Sequence, residues 1–180
     1  PNGEGAMLAV LGIASKELEK ILEMNNKKYE CFIANDNSNL QVVVSGLKKD
    51  INLLSDDLNN KKIKNIKLNV SAPFHCKYMK SASEKMTSYI NDLNMNELKK
   101  PIISNVTANE TSSSTEIKSL LISQIEKKVR WLESVEYMID NGVKNFVEIG
   151  PGKVLSGLIK RINKNVNVNS INSEEDIKLL

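Results

Sequence analysis

The chain has 180 residues, 41% hydrophobic and 26% charged, enough to bury a core without metals or disulfides and too apolar for a disordered chain. Its formal charge of +3 comes from 25 Lys and Arg against 22 Asp and Glu; with both signs interspersed, two arginines and 4% aromatics, base reading and base stacking are poorly supplied and nucleic acid is not expected as a partner. No apolar run is long enough to cross a bilayer, so no membrane partner is expected, and Cys31 and Cys76 form neither a close metal pair nor a disulfide framework, which suits a reduced interior.

Residues 7–12, MLAVLG, read as a buried strand. Residues 15–24, SKELEKILEM, space Leu18, Ile21 and Leu22 along one helical face behind a capping Ser15. Strands over 30–35 and 40–46 flank a polar turn, DNSN; a second amphipathic helix covers 48–60, and 62–70 returns to strand. The order β-α-β-β-α-β predicts a ferredoxin-like small unit over residues 1–65, with both helices on one side of an antiparallel sheet.

Residues 79–93 place Met79, Ala82, Met86, Tyr89, Ile90 and Leu93 on one helical stripe expected to fill a core. A short strand is predicted over 100–108, with its Pro at an edge, followed by a polar loop, NETSSST. Helices follow over 115–129 and 130–142, the second turning Trp131, Val135, Met138 and Ile139 inward and ending at Gly142. A strand over 143–150, a Pro-Gly turn, a helix over 153–162 and a strand over 166–171 complete an alternation that argues for part of an α/β layer fold across 66–180. The terminal SEEDIKLL reads as a helix whose first-turn acids suit its dipole.

The stretch GPGKVLSG (150–157) is not a phosphate-binding P-loop, because Val154 stands where the hydroxyl should be and the glycines are too close. Gly150 and Gly152 fit a tight strand-to-helix turn, whose free N–H groups favour an anion such as a carboxylate. None of the common dinucleotide, zinc-protease, redox or nucleophile-elbow motifs occurs.

His75, in SAPFHCKYM (71–79), is the one histidine of the chain. Imidazole is the side chain best able to act as base and then acid near neutrality. Pro73 confines Ala72 to extended backbone and leaves His75 at a strand-to-helix junction, where α/β layers carry functional residues. A polar turn residue and a catalytic base both fit that location, and location alone does not separate them.

Six segments in order, GEGAMLAVLG (3–12), IANDNSNLQVVVSG (33–46), LNVSAPFHCKYMKSASEKM (68–86), PIISNVTANE (101–110), ISQIEKKVRWLESVEYM (122–138) and FVEIGPGKVLSGLIKRI (146–162), resemble the malonyl-CoA:acyl carrier protein transacylase family. The resemblance covers nearly all of the chain apart from its polar tail. It implies a large α/β-hydrolase-like subdomain, of which 66–180 is the C-terminal part, with the ferredoxin-like unit inserted into it. It also implies transfer of a malonyl group from malonyl-CoA to the phosphopantetheine thiol of acyl carrier protein through a serine ester, with no bound cofactor.

In that family His75 is the catalytic histidine, and Gln124 resembles the residue whose backbone carbonyl accepts its ring proton. Asn35, Asn37 and Gln41 lie on a hairpin facing the cleft, where an Asx-type turn is the alternative for the two asparagines. Asn105 resembles a cleft-wall residue, and Phe74 the ring that discourages a branched substrate, or else a core aromatic. Arg130, Arg161, Ser45 and Ser71 do not match the family's carboxylate-binding arginine or its nucleophile, and Lys128 stands where relatives often carry proline.

The family's G-H-S-x-G elbow, its G-Q-G-x-Q segment and its malonyl-binding arginine are absent from these residues. With the opening Pro-Asn-Gly-Glu-Gly, this predicts a nucleophile-bearing N-terminal half outside this chain. A non-catalytic scaffold, or the acyltransferase module of a polyketide or multifunctional fatty-acid synthase, are the rival readings. The Asn- and Lys-rich texture resembles proteins of malaria-type parasites and so implies a plastid location, the cytoplasm being expected otherwise.

Overall fold

Alternation along three central strands decides the first half of the molecule. In the computed structural model, which describes residues 3–178, β1 (Gly5–Leu11), β2 (Cys31–Ser38), β3 (Gln41–Leu47) and β4 (Asn65–Lys67) form one antiparallel sheet in the order β2-β3-β1-β4. Leu8 faces Val44 and Val10 faces Val42 across β1 and β3. These side chains pack with Leu18 of α1 (Ser15–Met24) and with Ile51, Leu54 and Leu58 of α2 (Lys48–Asn60). Each such fully buried side chain contributes about 1.5–3 kcal/mol, so this face is the main core and both helices lie on it.

The opposite face, bearing Met7, Ala9, Ala34 and Val43, has Leu68 packed against it among the described residues. It receives the turn that carries His75. Two boundaries here differ from the sequence reading. Asp36, Asn37 and Ser38 belong to β2, and the Ser38–Gln41 pairing leaves a two-residue turn at Asn39 and Leu40 in place of a four-residue loop. The strand expected over 62–70 shortens to Asn65–Lys67, because after the bond from Leu68 N to Met7 O (2.9 Å) the chain leaves the sheet, closing a tight bend from Val70 N to Leu68 O (3.0 Å).

A short 3-10 turn at Lys77–Met79 leads into α3 (Lys80–Asn91). The predicted stripe on this helix is only partly inward: Ile90 is buried with Ser83, while Met86, Tyr89 and Leu93 are exposed. β5 (Ile102–Ile103) and β6 (Glu110–Thr111) make a small ribbon. The strand expected over 100–108 stops early because residues 104–108 turn back, with Ala108 N bonded to Ser104 O at 2.8 Å.

α4 (Ser114–Ser123), α5 (Trp131–Asp140), β7 (Asn145–Ile149), α6 (Val154–Ile162), β8 (Asn167–Ile171) and α7 (Glu174–Ile177) follow. Leu179 and Leu180, assigned above to the terminal helix, lie outside the described residues, as do Pro1 and Asn2. β7 and β8 are parallel neighbours, and Val135, Ile159 and Val166 centre a second core with Trp131, Met138 and Phe146 around it. Gly142 takes φ 88° after α5, as expected of a helix-ending glycine.

The two halves are joined by backbone: Val129 N bonds Ala34 O (2.8 Å) and Asp36 N bonds Val129 O (2.9 Å). Arg161 adds a bond to Gln41 Oε1 at 2.6 Å. Among the described residues no helix is long and apolar enough to cross a membrane.

Candidate active site

The turn over residues 71–76 lies on the face of the small sheet opposite α1 and α2 and fixes His75 from its N-terminal side. Pro73 is fully buried. The carbonyls of Pro73 and Phe74 are both taken by buried donors: Ser45 Oγ donates to Phe74 O at 2.5 Å and Cys76 Sγ to Pro73 O at 3.1 Å. His75 itself has φ 59°, the left-handed region. That conformation costs a non-glycine residue about 1–2 kcal/mol. Two satisfied buried hydrogen bonds at about 1 kcal/mol each are enough to offset it.

From the other side, His75 Nδ1 lies 2.8 Å from the backbone carbonyl of Gln124. A carbonyl only accepts, so Nδ1 carries the proton and, in the neutral ring, Nε2 is left with its lone pair free to take one.

This contact exists because α4 is shorter than the sequence reading has it. A helix running through residue 129 would give the Gln124 carbonyl to the N–H of Lys128. Instead α4 ends at Ser123, and residues 125–127 close on the carbonyls of Ile122 and Ser123. The strand-like pairing of Val129 with β2 draws the chain out of helical geometry. One orphan carbonyl of the helix end is thereby left for the imidazole. Because the contact uses main chain alone, Gln124→Ala is expected to leave His75 Nδ1 protonated, read by ring-nitrogen NMR; a mixture of tautomers in that variant would show that the Gln124 side chain holds the ring.

Gln124 Oε1 does accept from Asn105 Nδ2, at 3.4 Å, and Asn105 O accepts from Arg130 N at 2.9 Å. The structure therefore brings His75, Gln124 and Asn105 together. Asn35 lies on β2, paired with Val43 and bridged to Val129, but its side chain makes no hydrogen bond to the other three among the described residues. Phe74 is 38% exposed, so its ring is not a core filler. An open groove of about 450 Å³ runs beside His75, lined by Cys31, Phe32, Ile33, Cys76, Lys77 and Lys127 among others.

Several other polar groups have local partners or are shielded by burial. Arg130 is held by both carboxylate oxygens of Glu133 and by Thr107 O at 2.8 Å, so it is a structural clamp and not a free anion receptor. Ser45 is 0% exposed and spends its proton on Phe74 O. Both cysteines are free thiols; burial pushes Cys31 up to about 12 and raises Cys76 as well, which removes them as nucleophiles. Lys128 pairs with Glu19 at 3.6 Å. No cluster of His, Cys, Asp and Glu among the described residues could hold a metal ion.

The Gly-Pro-Gly turn has a local occupant. Glu148, at the end of β7, accepts from Leu155 N (3.1 Å) and Ser156 N (2.8 Å) at the start of α6, and Asn172 Oδ1 accepts from Gly152 N at 2.6 Å. The carboxylate foreseen at this helix start is the protein's own. Hydrogen bonds from the Ser156 side chain and from the backbone hold Glu148 below its ordinary value of 4.5. A depressed carboxyl contributes stability that is full above its unfolded value and is lost as pH falls through the folded one. Glu148→Gln should therefore lower the melting temperature most at neutral pH, the gap closing below about pH 4 in thermal melts; a gap independent of pH would remove the charge from the account.

Two of these roles, Ser45 and Glu148, were not drawn from the sequence. The available signals are a small polar residue inside an apolar strand, VVVSG, which needs a buried partner, and a carboxylate two residues ahead of a glycine turn that opens a helix.

No protein-family model matches the chain. A malonyl CoA-acyl carrier protein transacylase of Staphylococcus aureus is 41% identical over 184 residues, covering 99% of this chain and 58% of the relative. The crystal structure of acyl-carrier-protein-S-malonyltransferase from Bartonella henselae superposes with a TM-score of 0.94 at 37% identity, covering 99% of this chain and 57% of that one. A malonyl-transacylase in complex with a type II PKS acyl-carrier protein superposes at 0.92 with 30% identity, covering 99% and 58%. The chain thus spans a little under three fifths of the length of the proteins it matches. Over the portion they share, it is similar throughout to malonyl CoA-acyl carrier protein transacylases.

Proposed function

We propose that this chain supplies the histidine half of an enzyme that moves a malonyl group from malonyl-CoA to the phosphopantetheine thiol of acyl carrier protein, for fatty acid synthesis. The observation that carries the reading is the 2.8 Å bond from His75 Nδ1 to the Gln124 carbonyl, which leaves Nε2 as a base in the neutral ring. Nε2 takes the proton of a serine hydroxyl as its oxygen attacks the thioester carbonyl, then returns it to the departing CoA thiolate. In the second half-reaction it takes the phosphopantetheine thiol proton as the sulfur attacks the serine ester, and returns it to the serine oxygen. The solved complex of a malonyl-transacylase with an acyl-carrier protein supports that acceptor.

The serine, the first oxyanion donor and the malonyl-binding arginine come from the remaining length of a relative-sized protein. The exposed apolar side chains around β7 and α6, with Ile149 79% and Val154 72% exposed, support a covering partner segment there. So does the parallel pair β7-β8, since parallel sheets are ordinarily covered on both faces. Residues 1–65 are read as the ferredoxin-like small subdomain and 66–180 as the C-terminal part of an α/β-hydrolase-like large one. Asn105 supports Gln124, Phe74 walls the acyl pocket, and Asn35 lines the cleft from the hairpin side.

The deciding experiment is intact-mass measurement of the full-length protein after exposure to malonyl-CoA. One malonyl group on a single serine, discharged by acyl carrier protein, is the expected outcome. A protein that stays unmodified would overturn the reading in favour of a non-catalytic homologue.

A further inference from the structure

We propose that Ser45, on the face of the small sheet opposite α1 and α2, is a positioning residue for His75, with Gly5 beside it providing the seat for the turn. The proposal rests on the malonyl-transfer reading only for the rate it predicts. Its geometry stands without that reading.

Two strands of the small sheet meet the turn at adjacent points. Gly5 on β1 offers no Cβ, and one built there would stand 2.1 Å from Pro73 Cδ and 2.6 Å from both Pro73 Cγ and Pro73 N. The proline ring and its backbone therefore lie flat on the glycine. One register step away, β3 presents Ser45, paired with Met7 of β1, whose hydroxyl reaches Phe74 O at 2.5 Å. The Phe74 carbonyl is part of the peptide that enters His75, so holding it fixes the plane from which the left-handed φ of 59° departs. A residue in that conformation keeps it only when its surroundings specify it more than once.

Among the described residues the imidazole has one hydrogen-bonded constraint of its own, the Gln124 carbonyl. Without the Ser45 bond the entering peptide can rotate, His75 can relax toward negative φ, and the ring swings off that carbonyl. The ring then loses its single tautomer, and with it the placement of Nε2. The small sheet thus acts on the reaction centre through the backbone of residues 73–75.

The test uses the full-length protein with Ser45→Ala and Ser45→Cys, the latter keeping a weaker donor at the same place. Ring-nitrogen NMR of His75, assigned by its absence in His75→Ala, reads the tautomer directly. Wild type should show a protonated Nδ1, and Ser45→Ala a mixture of tautomers, with kcat down about 10- to 100-fold and KM for malonyl-CoA within about twofold. Ser45→Cys should fall between the two. An unchanged ring signal with kcat within about twofold would overturn the proposal even if the melting temperature drops, since that is what a purely structural serine does. A shifted ring signal in a protein that transfers no malonyl group would uphold the positioning role and sink the transfer reading instead.

Discussion

His75→Ala in the full-length protein is expected to lower kcat for malonyl transfer about 10³-fold, with KM for malonyl-CoA changed no more than about threefold. The reasoning starts from the ring. Its Nδ1 is committed to a carbonyl, so on the proposed reading the base is Nε2, and the polar side chains nearest it among the described residues do not replace it: the two cysteines are held as thiols by burial, and Ser45 is buried and already bonded. A hydroxyl nucleophile without its base is close to inert at neutral pH. Substrate binding, by contrast, draws on groups outside the imidazole, so KM should hardly move. Stopped-flow or discontinuous transfer assays at saturating malonyl-CoA read the difference. A variant transferring at a tenth of the wild-type rate or better would show that the proton goes elsewhere.

The second large effect is on stability. Gly5→Ala places a methyl carbon 2.1 Å from Pro73 Cδ and 2.6 Å from Pro73 N, where carbon atoms ordinarily stop at about 3.5–4.0 Å. A flexible side chain could rotate away from such a contact. Pro73 cannot, because its ring is closed onto the backbone, so either the turn lifts off the sheet or β1 shifts against β3. A loss of about 3 kcal/mol follows from overpacking of this kind, or about 10 °C in melting temperature for a protein of this size. Thermal unfolding followed by circular dichroism checks it; a melting temperature within about 1 °C of wild type would mean that the turn does not need this close approach. Activity should fall with it, because the lifted turn is the one that aims His75.

Much of the small unit was legible because each of its elements has a single periodicity. The α1 and α2 boundaries coincide with those drawn from the spacing of Leu18, Ile21 and Leu22 and of the apolar residues in 48–60. The strand order was legible only as a sequence of element types; which strands pair was set by the face that Leu8, Val10, Val42 and Val44 must bury together. Where tertiary contacts override local preference, the reading failed. Residues 124–129 carry no Gly or Pro and look helical, yet pairing of Val129 with β2 takes them out of the helix. Met86 and Tyr89 lie on a helical stripe that the described residues do not cover.

The site divides in the same way. His75 stood out as the lone imidazole after a proline, while the roles assigned to Gln124 and Asn105 came from family resemblance, since residues 49 and 30 positions away cannot be placed by spacing. Glu148 escaped notice because a carboxylate on a strand has no periodic signature; only the returning helix reveals what it faces.

Because a main-chain oxygen steers the imidazole, mutation of the genetic code letter at position 124 barely touches the steering group, which every amino acid carries. The vulnerability is to length. Inserting or deleting one residue between Ser123 and Val129 would carry that oxygen out of reach, so the site tolerates substitution there far better than it tolerates a change of reading length.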